Sequence, residues 1–193
     1  MSICEQPKEI TEEPIEDKKP KRELNAAIII KTWLQTAVVT VVLFLFLVTF
    51  VVQGFAVSGS CMEPNLKTGE RLLGNKLIYR FSSPTRGDVV VFKYPVDPSK
   101  MYIKRIIGMP GETIEIRNGH VSIDGEQLRE PYLVHASHGS YGPEKIKSDC
   151  YFVMGDFRDQ SNDSRIWGEL PIKDVEAKAW VRFWPPKRID LLR

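Results

Sequence analysis

One cysteine stands among residues that favour a polar loop. Residues 59–65 read Gly-Ser-Cys-Met-Glu-Pro-Asn. This places Cys61 after a glycine that permits close backbone approach and before Pro64, which stiffens the chain. A lone cysteine is more often a small buried apolar residue than a catalyst. In an exposed loop, however, its thiol could act as a nucleophile.

A second segment contains a lysine next to an arginine. Residues 102–112 read Tyr-Ile-Lys-Arg-Ile-Ile-Gly-Met-Pro-Gly-Glu. In a strand, Lys104 and Arg105 would point to opposite faces, so one of them must face inward. A desolvated lysine could serve as a neutral general base. The alternative is an edge-strand lysine that discourages aggregation.

A third segment is rich in polar residues and turn formers. Residues 154–168 read Met-Gly-Asp-Phe-Arg-Asp-Gln-Ser-Asn-Asp-Ser-Arg-Ile-Trp-Gly. Arginines among its acidic residues and the absence of calcium-loop spacing make it a poor metal site. We therefore predict neither a metal nor a cofactor.

The three segments together resemble the type I signal peptidases, a family of membrane-anchored Ser/Lys proteases. The family's nucleophile pattern Gly-x-Ser-Met-x-Pro-Thr fits residues 59–65, and Met62 sets the register so that Cys61, rather than Ser60, occupies the serine position. The lysine box Lys-Arg-x-x-Gly-x-Pro-Gly-Asp/Glu matches residues 104–112 at every fixed position. The third box resembles residues 155–168.

The resemblance implies an endopeptidase that removes signal peptides from secreted preproteins after small residues, of the Ala-x-Ala type. Cys61 would then be the nucleophile and Lys104 the general base. The oxyanion would be held by the nucleophile's own backbone N–H and a nearby hydroxyl. Gly59 offers no side-chain donor, so Ser58 or Ser60 would have to supply that hydroxyl.

The resemblance also implies supporting residues in the third segment. Ser161 would hydrogen-bond the catalytic lysine, and Asp163 and Arg165 would form an ion pair that supports the site. The family's third box runs Gly-Asp-Asn-Arg-Asp-Asn-Ser-x-Asp-Ser-Arg-x-x-Gly. Phe157 and Gln160 stand where that box has asparagines.

The thiol leaves the activity open to more than one interpretation. A thiol ionises far more readily than an alcohol, so a thiolate–ammonium pair with Lys104 could give a working thiol protease. The alternative is an impaired or inactive form that binds signal peptides without efficient cleavage. A disulfide between Cys61 and Cys150 would also be inert. A self-cleaving repressor would need a DNA-binding domain, for which the leader is too short and acidic.

An apolar segment precedes the nucleophile loop. From Ala37 to Val52 there is no charged residue, and the apolar run extends back to Trp33. Its length of about 20 residues suits a helix that crosses a bilayer. We predict a transmembrane anchor at residues 26–57. The run is longer than that of a cleavable signal peptide, which favours a retained anchor although Ala56 and Ser58 would permit cleavage.

The flanks of the anchor predict its orientation. The N-terminal flank is the more basic, which favours a cytoplasmic N-terminus. Residues 1–25 are polar and charged and are expected to form a disordered cytoplasmic tail. The protein should then reside in the plasma membrane, with residues 58–193 outside and close to the secretion translocon. Its partners would be signal peptides and the lipid bilayer. The formal charge of +2 gives no indication of nucleic acid.

The outer region has the pattern of a β domain. Short runs rich in β-branched and aromatic residues alternate with turn signals, and Asn118-Gly119 is a strong hairpin signal. The fold class is therefore mainly β: one transmembrane helix followed by an antiparallel catalytic domain. His135 and His138 match no box and are predicted to be surface residues. The strands are expected at residues 71–73, 88–92, 102–107, 113–116, 120–123, 151–154 and 179–183.

Overall fold

The structure, a computed structural model, describes residues 26–134 and 137–192. The chain divides into two compact units, with the boundary between Val41 and Val42. All the strands belong to the second unit. The predicted tail at 1–25 and His135 lie outside the described residues.

The N-terminal helix α1 runs over Ala26–Phe50. Its segment Ala26–Phe46 is long and apolar enough to cross a membrane. The hydroxyls of Thr32, Thr36 and Thr40 each donate to the carbonyl four residues earlier, at 2.8–2.9 Å. These bonds satisfy the threonine hydroxyls within the helix, so the apolar surface remains compatible with lipid.

The helix ends earlier than the anchor predicted at residues 26–57. Residues Val52–Ala56 form strand β1, which pairs with strand β2 at Arg71–Asn75. Valine, phenylalanine and alanine suit both a lipid-facing helix and a strand, so hydropathy alone could not separate the two. Gly54 lowers helix propensity within this stretch, and it lies opposite Leu73 in the ladder.

The larger sheet of the described chain has eight strands, seven of them in the order β1-β2-β11-β3-β4-β9-β10, with β12 paired to β11. Every ladder in it is antiparallel. Besides β1 and β2 its strands are β3 at Val89–Tyr94, β4 at Asp97–Gly108, β9 at Cys150–Met154, β10 at Leu170–Pro171, β11 at Val175–Trp184 and β12 at Asp190–Leu191.

A second antiparallel sheet of four strands has the order β7-β6-β5-β8. Asn118 and Gly119 form the β5–β6 turn with φ of 49° and 81°, which is the left-handed backbone of a two-residue hairpin. Isoleucines of this sheet pack with Phe152 and Met154 of β9 in one apolar core. The strands are β5 at Thr113–Arg117, β6 at His120–Ile123, β7 at Glu126–Gln127 and β8 at Tyr141–Lys145.

These sheets confirm the predicted fold class, an apolar N-terminal helix followed by an antiparallel β domain. All seven predicted runs lie largely within observed strands. Two short helices complete the domain, α2 at Ile78–Phe81 and α3 at Ser164–Trp167. Short 3₁₀ turns occupy Arg158–Gln160, Ile172–Asp174 and Pro186–Arg188.

Strand β4 lies inside the larger sheet, between β3 and β9. Lys104 is therefore not an edge-strand lysine, and that interpretation was wrong. Lys104 and Arg105 are 3% and 4% exposed. Because both faces of β4 are covered, the two neighbouring cations are both buried while pointing in opposite directions.

Candidate active site

The nucleophile segment is a loop between β1 and β2 that is fixed by its apolar residues. Val57, Met62 and Leu66 are buried in one core cluster, and Met62 has no exposed surface. Cys61 is half-buried and packs against the same cluster. The apolar neighbours thus hold the loop while the thiol side remains accessible.

Lys104 enters the site from β4, where it lies opposite Val90 of β3. Its ammonium nitrogen lies 5.7 Å from the ring centre of Tyr102. Within the described part of the chain, Nζ forms neither an ion pair nor a hydrogen bond. A buried cation without a carboxylate partner is unusual, because such charges are normally paired.

Cys61 and Lys104 line the same cavity, which has a volume of about 530 Å³. Its lining combines apolar and polar side chains, and two of the polar ones belong to the third segment. The remaining lining residues are Phe55, Ala56, Val57, Ser58, Gly59, Ser60, Leu72, Val91, Lys100, Met101, Tyr102, Ile103, Gln160 and Asn162. The structure therefore brings a thiol and a buried amine to one open site.

The backbone of Cys61 is oriented by the third segment. Its carbonyl accepts a hydrogen bond from Phe157 N at 3.0 Å. Its own N–H donates to no acceptor among the residues described here. The neighbouring Ser60 hydroxyl donates to Gln160 Oε1 at 3.1 Å. Gln160, a departure from the family box, thus binds the nucleophile loop directly.

Ser161 is buried close to this site, but its observed partner differs from the predicted one. Its Oγ accepts from Gly155 N at 3.1 Å. No hydrogen bond joins Ser161 and Lys104 in the described structure. Ser161 is therefore fixed by the loop that carries it rather than by the lysine.

The predicted ion pair of Asp163 and Arg165 is present. Arg165 Nε and Nη2 donate to the two oxygens of Asp163 at 2.8 and 2.9 Å. Asp163 is fully buried and also caps helix α3 by accepting from Arg165 N. Its Oδ2 accepts a further bond from Gly155 N at 3.1 Å. The pair thereby holds the start of the same loop.

Gly155 lies where the third segment meets the nucleophile segment, a contact that the sequence did not reveal. A Cβ at this position would lie 2.3 Å from Ser161 Oγ and 2.5 Å from the Cys61 carbonyl oxygen. Both distances are far below van der Waals contact. Only glycine therefore allows the Ser161 loop to pass this close to the nucleophile segment.

The face of β4 opposite Lys104 contains a fully paired cation. Arg105 donates to both oxygens of Asp156, at 2.9 and 2.8 Å, and its Nη1 donates to Gly87 O at 2.7 Å. The Tyr132 ring lies 4.1 Å from the guanidinium carbon. Arg105 thus joins β4 to the third segment.

A second buried ion pair supports the third segment from a region that matched no motif. Arg158 Nη1 donates to Glu130 Oε2 at 3.1 Å, and Arg158 Nε donates to Gly155 O at 3.1 Å. Burial opposes the charge, but the bonded Glu130 carboxylate raises the pKa of Arg158. Nothing in the sequence around Glu130 indicated this contact.

The remaining candidates lie outside the cavity. His138 is exposed, as predicted, and its Nδ1 lies 2.9 Å from Asp159 Oδ2. Its hydrogen bonds lower the pKa of Asp159. Cys61 and Cys150 are both free thiols, so the disulfide alternative is not observed.

A thiol and a buried amine in one cavity of an antiparallel β domain define a candidate hydrolase site. Comparison with known proteins names its class. A family model described as signal peptidase, peptidase S26, matches residues 30–184. The chain therefore belongs to the signal peptidase family.

Individual relatives agree with the family. A probable signal peptidase I-2 of Synechocystis sp. is 40% identical over 170 residues, which cover 83% of this chain and 78% of the relative. Signal peptidase I of Leptolyngbya laminosa is 38% identical, with 82% of each chain covered. Signal peptidase I P of Bacillus subtilis subsp. natto is 37% identical, covering 79% of this chain and 88% of the relative. These names give no support to a form that binds without cleaving.

Proposed function

We propose that this chain removes N-terminal signal peptides from preproteins, with Cys61 as the nucleophile and Lys104 as the general base. One observation supports this assignment above all: the two side chains line one cavity, and Lys104 is 3% exposed with no carboxylate partner among the described residues. A general base has to reach the nucleophile it deprotonates, and the shared cavity gives the amine of Lys104 that access to the Cys61 thiol.

The reaction proceeds in two stages. The amine of Lys104 takes the proton from the Cys61 thiol as sulfur attacks the carbonyl carbon of the scissile bond. The resulting ammonium then protonates the leaving amine, which departs as the new N-terminus of the mature protein. The signal peptide remains on sulfur as a thioester, and water activated by Lys104 hydrolyses it. A pre-formed thiolate–ammonium pair would follow the same sequence after attack.

The oxyanion would be stabilised from the nucleophile loop. The backbone N–H of Cys61 is available because no described acceptor uses it. The Ser60 hydroxyl already donates to Gln160, so it would have to exchange partners to contribute. The backbone N–H of Cys61 is therefore the principal donor.

The substrate would bind as an added extended strand along the cavity. The wall beside Cys61 is formed by apolar side chains, among them Val57, Leu72 and Ile103. An apolar wall beside the nucleophile favours apolar side chains over charged ones. This arrangement agrees with a preference for Ala-x-Ala sequences.

The supporting residues would act by fixing the third segment. Asp163 and Arg165 hold the loop that contains Ser161, and Gly155 lets that loop approach Cys61. Ser161 retains its own hydroxyl hydrogen. We propose that this hydroxyl donates to the Lys104 amine during the reaction, as in the resembled family.

The reaction would take place at a membrane surface. Helix α1 would anchor the chain in the plasma membrane, with residues 1–25 in the cytoplasm and 58–193 outside, near the translocon. Basic residues before the helix favour this orientation. Preproteins would then reach the site while their signal peptides are still held in the bilayer.

Cleavage of a preprotein with an Ala-x-Ala site by the full chain in detergent micelles tests the assignment. Cys61→Ala, which keeps Ser60, should abolish cleavage. Addition of hydroxylamine should convert the released signal peptide to a C-terminal hydroxamate with wild type, because amines attack thioesters readily. Undiminished cleavage by Cys61→Ala would reject Cys61 and direct attention to Ser60.

A further inference from the structure

The side chain of Asn65 connects the nucleophile segment to two other segments. Its Nδ2 donates to Asp156 Oδ2 at 2.7 Å and to the Tyr132 carbonyl at 3.0 Å. Asn65 is half-buried, and its acceptors lie 91 and 67 residues away along the chain. One carboxamide thus uses both of its N–H groups in long-range contacts.

Asp156, in the third segment, binds residues of both the nucleophile segment and the lysine strand β4. Its Oδ2 accepts both from Asn65 and from Arg105 Nη2, the latter at 2.8 Å. Arg105 is the residue next to Lys104, and Asp156 is next to Gly155. Asn65 is four residues beyond Cys61. The contacts therefore form a continuous link from the nucleophile loop to the lysine strand.

The backbone of the nucleophile loop is held from its other side. Arg182 Nη1 donates to the Asn65 carbonyl at 2.5 Å, and Arg188 Nη2 donates to the Pro64 carbonyl at 3.2 Å. Buried Glu70 pairs with both arginines. These arginines thus fix the backbone of the loop, and the Asn65 carboxamide fixes its position relative to β4 through Asp156.

We propose that Asn65 is a positioning residue that sets the approach of Cys61 to Lys104 through Asp156 and Arg105. This inference rests on the proposed function of those two side chains. A carboxamide has two N–H groups, which match the two acceptors here. The threonine found at this position in the resembled pattern has one hydroxyl hydrogen and can satisfy at most one of them.

A backbone bond, Phe157 N to Cys61 O, also joins the nucleophile loop to the third segment. It fixes one point of the loop and leaves rotation about that point possible. The Asn65 bonds supply a second point on the far side of Met62. Two separated points define an orientation, which is what a nucleophile and base require.

The test compares Asn65→Ala and Asn65→Thr with a matched control, Tyr79→Phe. Tyr79 donates to buried Asp88, whose other oxygen binds Lys178, so the control also removes one donor from a buried, cation-paired carboxylate. In the full chain, Asn65→Ala should lower kcat by about 10- to 100-fold with little change in KM. Asn65→Thr should recover part of the loss, and the control should leave kcat unchanged.

A chemical probe of the distance between the Cys61 thiol and the Lys104 amine tests the positioning role without relying on catalysis. o-Phthalaldehyde joins an adjacent thiol and lysine amine into a fluorescent isoindole, with Cys61→Ala as the blank. Wild type should give the signal, and Asn65→Ala should give less at an unchanged Tm. Cleavage by wild type together with unaltered kcat and isoindole yield in Asn65→Ala would overturn the positioning role alone.

Two further results decide the remaining cases. Equal kcat for Asn65→Thr and Asn65→Ala, both below wild type, would show that restoring one donor restores no activity, which would reject positioning through these hydrogen bonds. If Asn65→Ala does not fold, Asn65→Thr is compared with the control Tyr79→Phe instead. An isoindole yield of Asn65→Thr equal to that of wild type would then reject the positioning role. Absence of cleavage by wild type would instead count against the proposed function.

Discussion

Lys104 and Arg105 are neighbours on one strand and equally buried, yet their two environments differ in almost every other respect. Lys104 points into an open cavity and has no carboxylate partner among the described residues. Arg105 binds both oxygens of Asp156 and lies over the ring of Tyr132. Removing the partner of a buried, paired cation is strongly destabilising, whereas a buried amine without a partner has no such contact to lose. Under the proposed function, the Lys104 face of β4 takes part in the reaction and the Arg105 face supports the structure.

The largest expected effect is on the cavity face. Lys104→Met keeps an unbranched side chain of similar length and removes the amine. Activity on a preprotein should fall by about 10²–10⁴-fold, the usual contribution of a general base. The free energy of unfolding should not decrease, because the change replaces a buried polar group that has no described hydrogen-bond or ion-pair partner to lose.

The control for this prediction is chemical denaturation of the same protein. If Lys104→Met lowered the free energy of unfolding as well as the activity, Lys104 would have a structural role like that of Arg105. The contrast between the two faces would then disappear.

The second prediction concerns the paired face. Asp156→Ala leaves Arg105 buried without its carboxylate and removes the acceptor of Asn65. The free energy of unfolding should fall by about 3–5 kcal/mol, as for other broken buried pairs. Denaturant unfolding followed by tryptophan fluorescence measures the change. A loss below about 1 kcal/mol, the usual range of a surface pair, would contradict the assignment.

The third prediction concerns Gly155, whose backbone lies against both Ser161 and the Cys61 carbonyl. In Gly155→Ala, the new methyl group would meet Ser161 Oγ and the Cys61 carbonyl at 2.3 and 2.5 Å. The loop has to shift, and a displacement of about 1 Å can reduce kcat by about 10²-fold. Gly59→Ala is not a suitable control because of its positive φ of 91°. Gly54→Ala, with no atom within 4 Å of its Cβ, is the matched variant and should retain activity.

The sequence predicted the elements of this site better than their connections. Alternating apolar residues and turn signals located the strands, and the motifs located Cys61 and Lys104. The resemblance to the family also implied the ion pair of Asp163 and Arg165. Both residues lie in one short segment, so this contact is local in the chain.

The remaining contacts join residues that are far apart in sequence. Asn65 and Asp156 are 91 residues apart, and Glu130 and Arg158 are separated by a region without a motif. Periodicity cannot indicate which buried polar groups find each other across a fold. Strand β1 was not predicted for a related reason: Val52–Ala56 is apolar enough for lipid, but its backbone pairs with β2.

The smallest expected effect concerns the two thiols. Cys61 lines the open cavity, as Lys104 does, whereas Cys150 is buried in an apolar core. Burial, with a contribution from Asp149, raises the pKa of Cys150 to about 11. At pH 8 this thiol should stay protonated and react slowly with iodoacetamide, whereas half-buried Cys61 in the open cavity should be alkylated first. Peptide mapping of a Cys4→Ser background by mass spectrometry gives the order. A peptide substrate that fills the cavity should slow the alkylation of Cys61 and leave that of Cys150 unchanged. Faster alkylation of Cys150 than of Cys61 would contradict the prediction, because it would mean that the core around Cys150 opens more readily than the cavity admits the reagent.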